Sequence, residues 1–504
     1  MPDRTMTPSA AAPTTSAVTV RTPRGPVRGE RQATGVRFLG IPYAQPPVGD
    51  LRFAAPVPPV AWTGTLDATS YGPTAQRRPF ADVTTIPEPT IPGASTLNLN
   101  VFTPAPYPAA ELPVLVWIHG GGFVAGSAAS PWYDGRSFNR DGVVLVSVGY
   151  RLGIEGFLHL ADAPDNRGVL DWIAALEWVR DTIACFGGDP AKVTVAGQSA
   201  GGGAVQTLLA TPRAQGLFRA AISVSGAVME PQDRATAEAV SRLFTARTGV
   251  RATAAALRDT TDAELLALQD ALGAPGPDRG PLPMLALAPF ADGDLVPQPV
   301  AETLASGDTG ADIPLMAGFT AHEFNAAPSP GGSRDDDPGA LLAPFGLDER
   351  RTRIFLDTHA AHADRPALLW GQAVTDTVFR APTLAVADAR ACRQRPVWLY
   401  EFRRAATAPG VDGLAYHCTD LPFAFDLLDA QGVTAALGEN PPQHLADAVH
   451  AAWVAFVRDL NPGPQWPPYT EEGRQTMVWD DRPRVERDPL RPVREVWARP
   501  APQG

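Results

Sequence analysis

Cysteine is scarce here, with Cys185, Cys392 and Cys418 the only three in 504 residues. So sparse and odd a set is not the disulfide framework of a small secreted fold, and reduced thiols are expected. Lysine is scarcer still: Lys192 stands alone, and the rest of the positive charge is arginine. A formal charge of -12 and a pI near 5.2 argue against a polyanion, which removes nucleic-acid binding from the candidate functions. Long apolar runs are missing as well. No stretch approaches the ~20 apolar residues of a membrane span, and the opening MPDRTMTPSAAAPTTSAVTV lacks the apolar core of a signal peptide. No Asn-x-Ser/Thr acceptor occurs. The expected setting is a soluble cytoplasmic protein, with export by an unusual route left open.

The chain is rich in glycine and proline, 46 and 53 residues, which implies many fixed turns and irregular connections. A chain this long can bury roughly three quarters of its unfolded surface, so its core needs no staples. Short β-branched runs with few charges recur: Val114 to Ile118, Val143 to Val148, Val193 to Ala196, Ala220 to Val224, Leu315 to Ala317 and Val397 to Tyr400. Runs of this kind read as strands buried on both faces of a parallel sheet. Helical spacing lies between and after them, at Leu170, Ile173, Ala174, Leu176 and Val179, and again from His444 to Leu460, stopped by Asn461-Pro462-Gly463. The alternation predicts α/β layers. Ala17 to Val27 alternates like a strand pair around a Pro-Arg-Gly turn. The expected organisation is a mobile tail over residues 1–15 and one domain over 16–500. Ala326 to Ala343, rich in Pro, Gly and Asp, reads as a solvated loop.

Two segments carry chemistry. In VTVAGQSAGGG a β-branched strand runs into Gly197-Gln198-Ser199-Ala200-Gly201 and then into an apolar helix. A serine on so sharp a turn needs flanking glycines without Cβ atoms, and its hydroxyl projects above the sheet at a helix N-terminus that favours negative charge. A bare G-x-S-x-G arises by chance in a glycine-rich chain; the strand before it and the helix after it give it weight. In VLVWIHGGGFVAG, His119-Gly120-Gly121-Gly122 follows a buried-type strand. Consecutive glycines let backbone amides approach a substrate carbonyl, as a tetrahedral oxyanion requires. No Gly-Lys-Ser/Thr follows, so the loop is not a phosphate cradle.

With these in hand, the chain resembles the type-B carboxylesterases, the family that includes bacterial esterases active on nitrobenzyl esters and the animal cholinesterases. The resemblance runs through FLGIPYAQPPVGDLRFAAP, LNLNVFTP, WIHGGGF, GYRLGIEGFL, FGGDPAKVTVAGQSAGG, AGFTAHEF and YHCTDLPFAF to Trp466-Pro467-Pro468-Tyr469. It implies an α/β-hydrolase fold, a mostly parallel sheet flanked by helices with a small N-terminal antiparallel sheet. It implies Ser199 as nucleophile, His417 as base and Glu323 as the acid orienting it, with backbone amides of Gly121, Gly122 and Ala200 as oxyanion donors. Ser225 is implied beside the triad. Two departures stand out: Thr96 occupies a half-cystine position of secreted relatives, and Gln198 precedes the nucleophile where cholinesterases carry glutamate, which argues against choline esters.

The implied reaction is hydrolysis of a small-molecule carboxylic ester to acid and alcohol, with no cofactor and no metal, by a monomer or small homo-oligomer. A catalytically silent binding module, or a hydrolase of amides, carbamates or polymer esters, are the alternatives. The order Ser, acid, His is that of α/β-hydrolases. His119 reads as structural, and His359 and His362 as a solvated helix face. Cys418 is expected to point away from the side on which His417 lies, because neighbours in an extended segment alternate. Phe123 and Trp132 are expected to shape the pocket.

Overall fold

Thirteen strands join into one sheet in the computed structural model, which describes residues 16–79, 84–226, 232–276, 283–325 and 338–497. The tail assigned to residues 1–15 lies outside the described residues. The strands are β1 (Ala17–Thr22), β2 (Gly25–Gln32), β3 (Gly35–Pro42), β4 (Leu66–Asp67), β5 (Asn98–Thr103), β6 (Leu112–Ile118) and β7 (Val144–Val148), then β8 (Gly188–Gln198), β9 (Ala220–Val224), β10 (Leu315–Thr320), β11 (Val397–Phe402), β12 (Gln475–Trp479) and β13 (Arg484–Arg487). Their spatial order is β1-β2-β3-β5-β7-β6-β8-β9-β10-β11-β12-β13, with β4 beside β2. From β7 to β12 every neighbouring pair is parallel, and the flanks are antiparallel apart from the short β4, which runs parallel to β2. The N-terminal antiparallel strands hydrogen-bond through β3 and β5 onto the parallel part and share its sheet.

Each apolar run of the sequence is a strand, and the reason is visible in its two faces. Val114, Val116 and Ile118 of β6 pack into one layer, while Leu115 and Trp117 pack into the other. A strand with helices on both sides can therefore carry apolar residues without alternation. The helix Arg167–Thr182 covers one face, its Trp172 edge-on to Tyr150 at 5.3 Å. The helix Gln443–Asp459 covers the other, where Trp453 meets Trp117 at 6.3 Å, and it ends at Leu460 with φ 60 before Pro462.

Two features escape the pattern of the sequence. Strand β5 is buried along its whole length despite Asn98 and Asn100. Asn100 donates to Ser147 Oγ at 2.9 Å and accepts from the Gly40 amide at 2.9 Å, so polar residues sit inside because partners wait for them. Of the stretch read as a loop, residues 326–337 lie outside the described residues. Its end is a correction: Pro338–Leu342 is helical, because Leu342 docks into a small cluster with Phe355 and Leu369.

One ion pair ties the parallel core to its covering helix. Arg151, just past β7, donates from Nε and a terminal nitrogen to both oxygens of Asp171, at 2.9 and 2.7 Å. Their side chains are 2% and 0% exposed.

Candidate active site

Parallel strands deliver their C-terminal ends to one side of the sheet, and that is where ligands bind in such folds. Here β8 ends in Gln198-Ser199, β9 in Ser225, β10 just before Glu323 and β6 in the glycine loop. Ser199 adopts φ 57, ψ -123, a conformation that costs a non-glycine residue on the order of 1–3 kcal/mol. It is held there by its amide donating to Val224 O at 2.9 Å and by the helix Ala200–Leu209, all ten residues of which are buried. Space forces the glycine after it: a Cβ at Gly201 would lie 2.0 Å from Ile118 O.

Glu323 and His417 meet although 94 positions separate them. Glu323 Oε2 lies 2.5 Å from His417 Nδ1, and the other oxygen accepts from Ser225 Oγ at 2.6 Å and from the Thr320 amide at 2.8 Å. The His417 amide also donates to Glu323 O at 3.0 Å. A carboxylate can only accept, so Nδ1 carries the ring proton and Nε2 faces away as the basic nitrogen. Burial disfavours the imidazolium, but Cys418 and Glu323 outweigh it, and the His417 pKa stands above the ordinary imidazole value. Burial pushes the Cys418 thiol up, against the pull of the neighbouring His417 charge.

The expected line of hydrogen bonds is complete on the carboxylate side and different on the hydroxyl side. Nε2 of His417 meets the Gln198 amide nitrogen at 3.0 Å, and no hydrogen bond joins it to Ser199. Such links often tighten only once substrate is bound. Cys418 is a correction: the segment is not extended there, φ is 74, and Cys418 lines the same cavity as His417.

Ser199, Glu323, His417, Gly121 and Gly122 line one cavity of about 810 Å³, within the usual size for a small-molecule site. Ala200, buried beside Ser199, opens the following helix. In the glycine loop the amides of Val124 and Ala125 both turn back to Gly121 O, at 3.0 and 2.8 Å, and neither Gly121 nor Gly122 donates its amide to a backbone acceptor among the described residues. Gly121 has φ 114, and a Cβ there would lie 2.3 Å from Ala125 O. Gly121→Ala is therefore expected to displace the loop and lower kcat by about 10²–10³-fold with KM little changed, the loss typical of one oxyanion donor; steady-state kinetics on one ester checks it.

The apolar wall is made by Val124, Leu243, Leu285, Leu287, Phe324 and Phe379. Phe123 and Trp132 are not part of it, contrary to expectation. Phe123 is buried against Phe157 at 5.1 Å, and Trp132 donates its indole N–H to Gln431 O at 2.9 Å. Phe324 and Phe379 instead hold the His417 imidazole at ring distances of 5.0 and 5.1 Å. Position 324 follows Glu323 directly, but nothing in the sequence pointed to 379. Asp420 was also missed. It is buried, accepts from Tyr400 Oη at 2.9 Å, and burial followed by the Glu323 charge pushes its pKa up to about 7.

His119 is structural as read, stacked on Tyr150 at 4.5 Å and held by burial at a pKa of about 4. His359 is not on a solvated face: it rests on Phe355 at 4.6 Å and faces the buried Asp376. Among the described residues, no cluster of His, Cys, Asp and Glu is arranged to hold a metal, and no helix is long and apolar enough to cross a membrane. The three cysteines are free.

Against known families, the model of the Carboxylesterase family matches residues 16–336 and 348–497. The chain belongs to the carboxylesterase family. Among curated members, the para-nitrobenzyl esterase of Bacillus subtilis is 36% identical over 93% of this chain and 96% of its own length. The phenmedipham hydrolase of Pseudarthrobacter oxydans is 34% identical over 90% and 94%. A solved carboxylesterase of Geobacillus stearothermophilus superposes with a TM-score of 0.83 at 34% identity, covering 95% of this chain and 99% of that one. The carboxylesterase fold is thus an α/β-hydrolase throughout the described residues, with its sheet ends gathered at the cavity.

Proposed function

We propose that this carboxylic ester hydrolase works through an acyl-enzyme on Ser199, with His417 as general base and Glu323 as its orienting acid. The observation that carries the reading is the Glu323 carboxylate on His417 Nδ1, which turns the basic Nε2 toward the cavity that Ser199 and the glycine loop share. Ser199 Oγ attacks the ester carbonyl while Nε2 takes its proton; the carbonyl oxygen, now negative, is received by the amides of Gly121, Gly122 and Ala200. The imidazolium then protonates the departing alcohol, and water repeats the sequence to release the acid. Ser225 fixes the carboxylate from behind. The chain acts as one catalytic domain over 16–500, on small uncharged or weakly charged esters that suit the apolar wall.

A panel of esters, amides and carbamates of graded size, run with a fluorophosphonate located by mass spectrometry, tests this. Ester turnover with an adduct on Ser199 is expected; an adduct elsewhere, or preference for amides over esters, overturns it. The pH dependence has a definite sign. Only neutral imidazole accepts the serine proton, and the His417 pKa lies above the ordinary 6.5. The acid limb of kcat/KM is therefore expected above pH 6.5, with activity lost as pH falls through it, and a flat profile between about pH 5 and 8 contradicts the assignment.

A further inference from the structure

We infer that Gln198 is a positioning residue for the base, its amide nitrogen occupying His417 Nε2 in the resting enzyme and favouring the neutral ring until Ser199 takes its place. This rests on the triad reading above and concerns the residue next to the nucleophile rather than the triad itself. Gln198 is the last residue of β8, fully buried, and its Nε2 is 3.0 Å from His417 Nε2. With the proton of the imidazole fixed on Nδ1 by Glu323, Nε2 of the neutral ring has a lone pair, and an amide N–H₂ is a donor that matches it. An imidazolium would set N–H against N–H₂. In this orientation Gln198 Oε1 lies in a buried place with no hydrogen-bond partner, beside Gly120, where a Cβ would come within 2.7 Å of it; the reversed amide would put its N–H₂, a group with two donors to satisfy, in that place instead.

The surroundings leave this role to Gln198. Glu323 sits on Nδ1 and favours the charged ring. Cys418, the next residue, and the buried Asp420 beyond it share the segment of the base. From the turn after β10 and from the helix Asp376–Arg380 come the uncharged rings of Phe324 and Phe379, while Arg380 turns to Asp376 and Glu401 at 2.8 and 2.7 Å. Among the described residues Gln198 is the one group hydrogen-bonded to Nε2, and it is neutral. Its donor counters the pull of Glu323 toward the imidazolium. It also competes with the Ser199 hydroxyl for the same nitrogen, so the hydroxyl gains the base only when substrate binding rearranges the pair.

The test is the acid limb of kcat/KM in wild type, Gln198→Met and Gln198→Glu, on one nitrophenyl ester, with melting curves and fluorophosphonate labelling of Ser199 on each. Removing the donor in Gln198→Met is expected to move the limb to higher pH. Placing a carboxylate there in Gln198→Glu moves it further, by about one pH unit or more, so that the relative rate on the acid side falls about tenfold. A merely structural residue would lower kcat at every pH and leave the limb where it was. Limbs that stay at the wild-type pH in the folded variants, or move to lower pH, overturn the inference. If the methionine variant does not fold, the glutamate variant, equal in size, decides alone; if it too fails, the titration of the wild-type His417 ring followed by NMR decides, a free-enzyme ring that still carries its proton on Nε2 on the alkaline side of the acid limb overturning the role. Loss of Ser199 labelling in wild type would instead remove the triad reading, a distinct result.

Discussion

Ser199→Ala is expected to reduce kcat/KM for a nitrophenyl ester by roughly 10⁶-fold, and His417→Ala by as much, with the double variant scarcely worse than either. The near-equality follows from the proposed chemistry, in which hydroxyl and imidazole act in one step and neither works without the other. Glu323→Gln should lose less, about 10⁴-fold, because it orients the ring and stabilises its charge without exchanging atoms with the substrate. Part of that loss is a matter of tautomer. The Gln side chain can offer Nδ1 a donor, which would move the ring proton to Nε2 and block acceptance from Ser199. Burst kinetics separate acylation from deacylation in each variant. A Glu323→Gln enzyme as fast as wild type removes Glu323 from the triad; an active Ser199→Ala enzyme removes the acyl-enzyme altogether.

The second large effect is on stability. Asp171→Ala leaves Arg151 with its Nε and its backbone amide unpaired in a place where the guanidinium side chain is 2% exposed. Removing one partner of such a pair typically costs about 3–5 kcal/mol, since a buried charge is left without its counter-ion. Only the bond to Ala54 O at 2.6 Å and a longer one to Arg167 O remain. Urea unfolding of the variant should shift to a clearly lower midpoint. The pair replaced as a unit, Arg151→Met with Asp171→Leu, should recover most of the loss. If Asp171→Ala unfolds at the wild-type midpoint, the pair does not tie the helix to the sheet.

How much could be read from the chain alone divides along a physical line. Local pattern exposes what local sequence determines: the apolar runs that became β6 to β11, the Gly-Gln-Ser-Ala-Gly turn, the glycine loop after β6. Partners across the chain follow another rule. Glu323 is one of 54 acidic residues, and nothing near it marks it as the one that reaches His417; only likeness to a family did so. The meeting of Gln198 with His417 spans 219 positions and depends on how β8 and the loop after β11 end at the same height. Strand β5 stayed hidden because its asparagines look solvent-facing until Ser147 and Gly40 are seen to satisfy them. Cys418 was misplaced because a positive φ at a non-glycine residue leaves no mark in composition.

The oxyanion donors assigned here belong to the main chain, and that has a bearing on how such an enzyme can change over generations. An amide hydrogen is present in nearly every residue type, so exchanging side chains does not delete it, while at Gly121 the Ala125 carbonyl leaves no room for any other residue. The reactive frame is thereby shielded from gradual drift. New tastes in substrate must arise instead in the replaceable apolar lining, at positions such as Leu243, Leu285 and Leu287, where altering bulk reshapes what fits without touching what reacts.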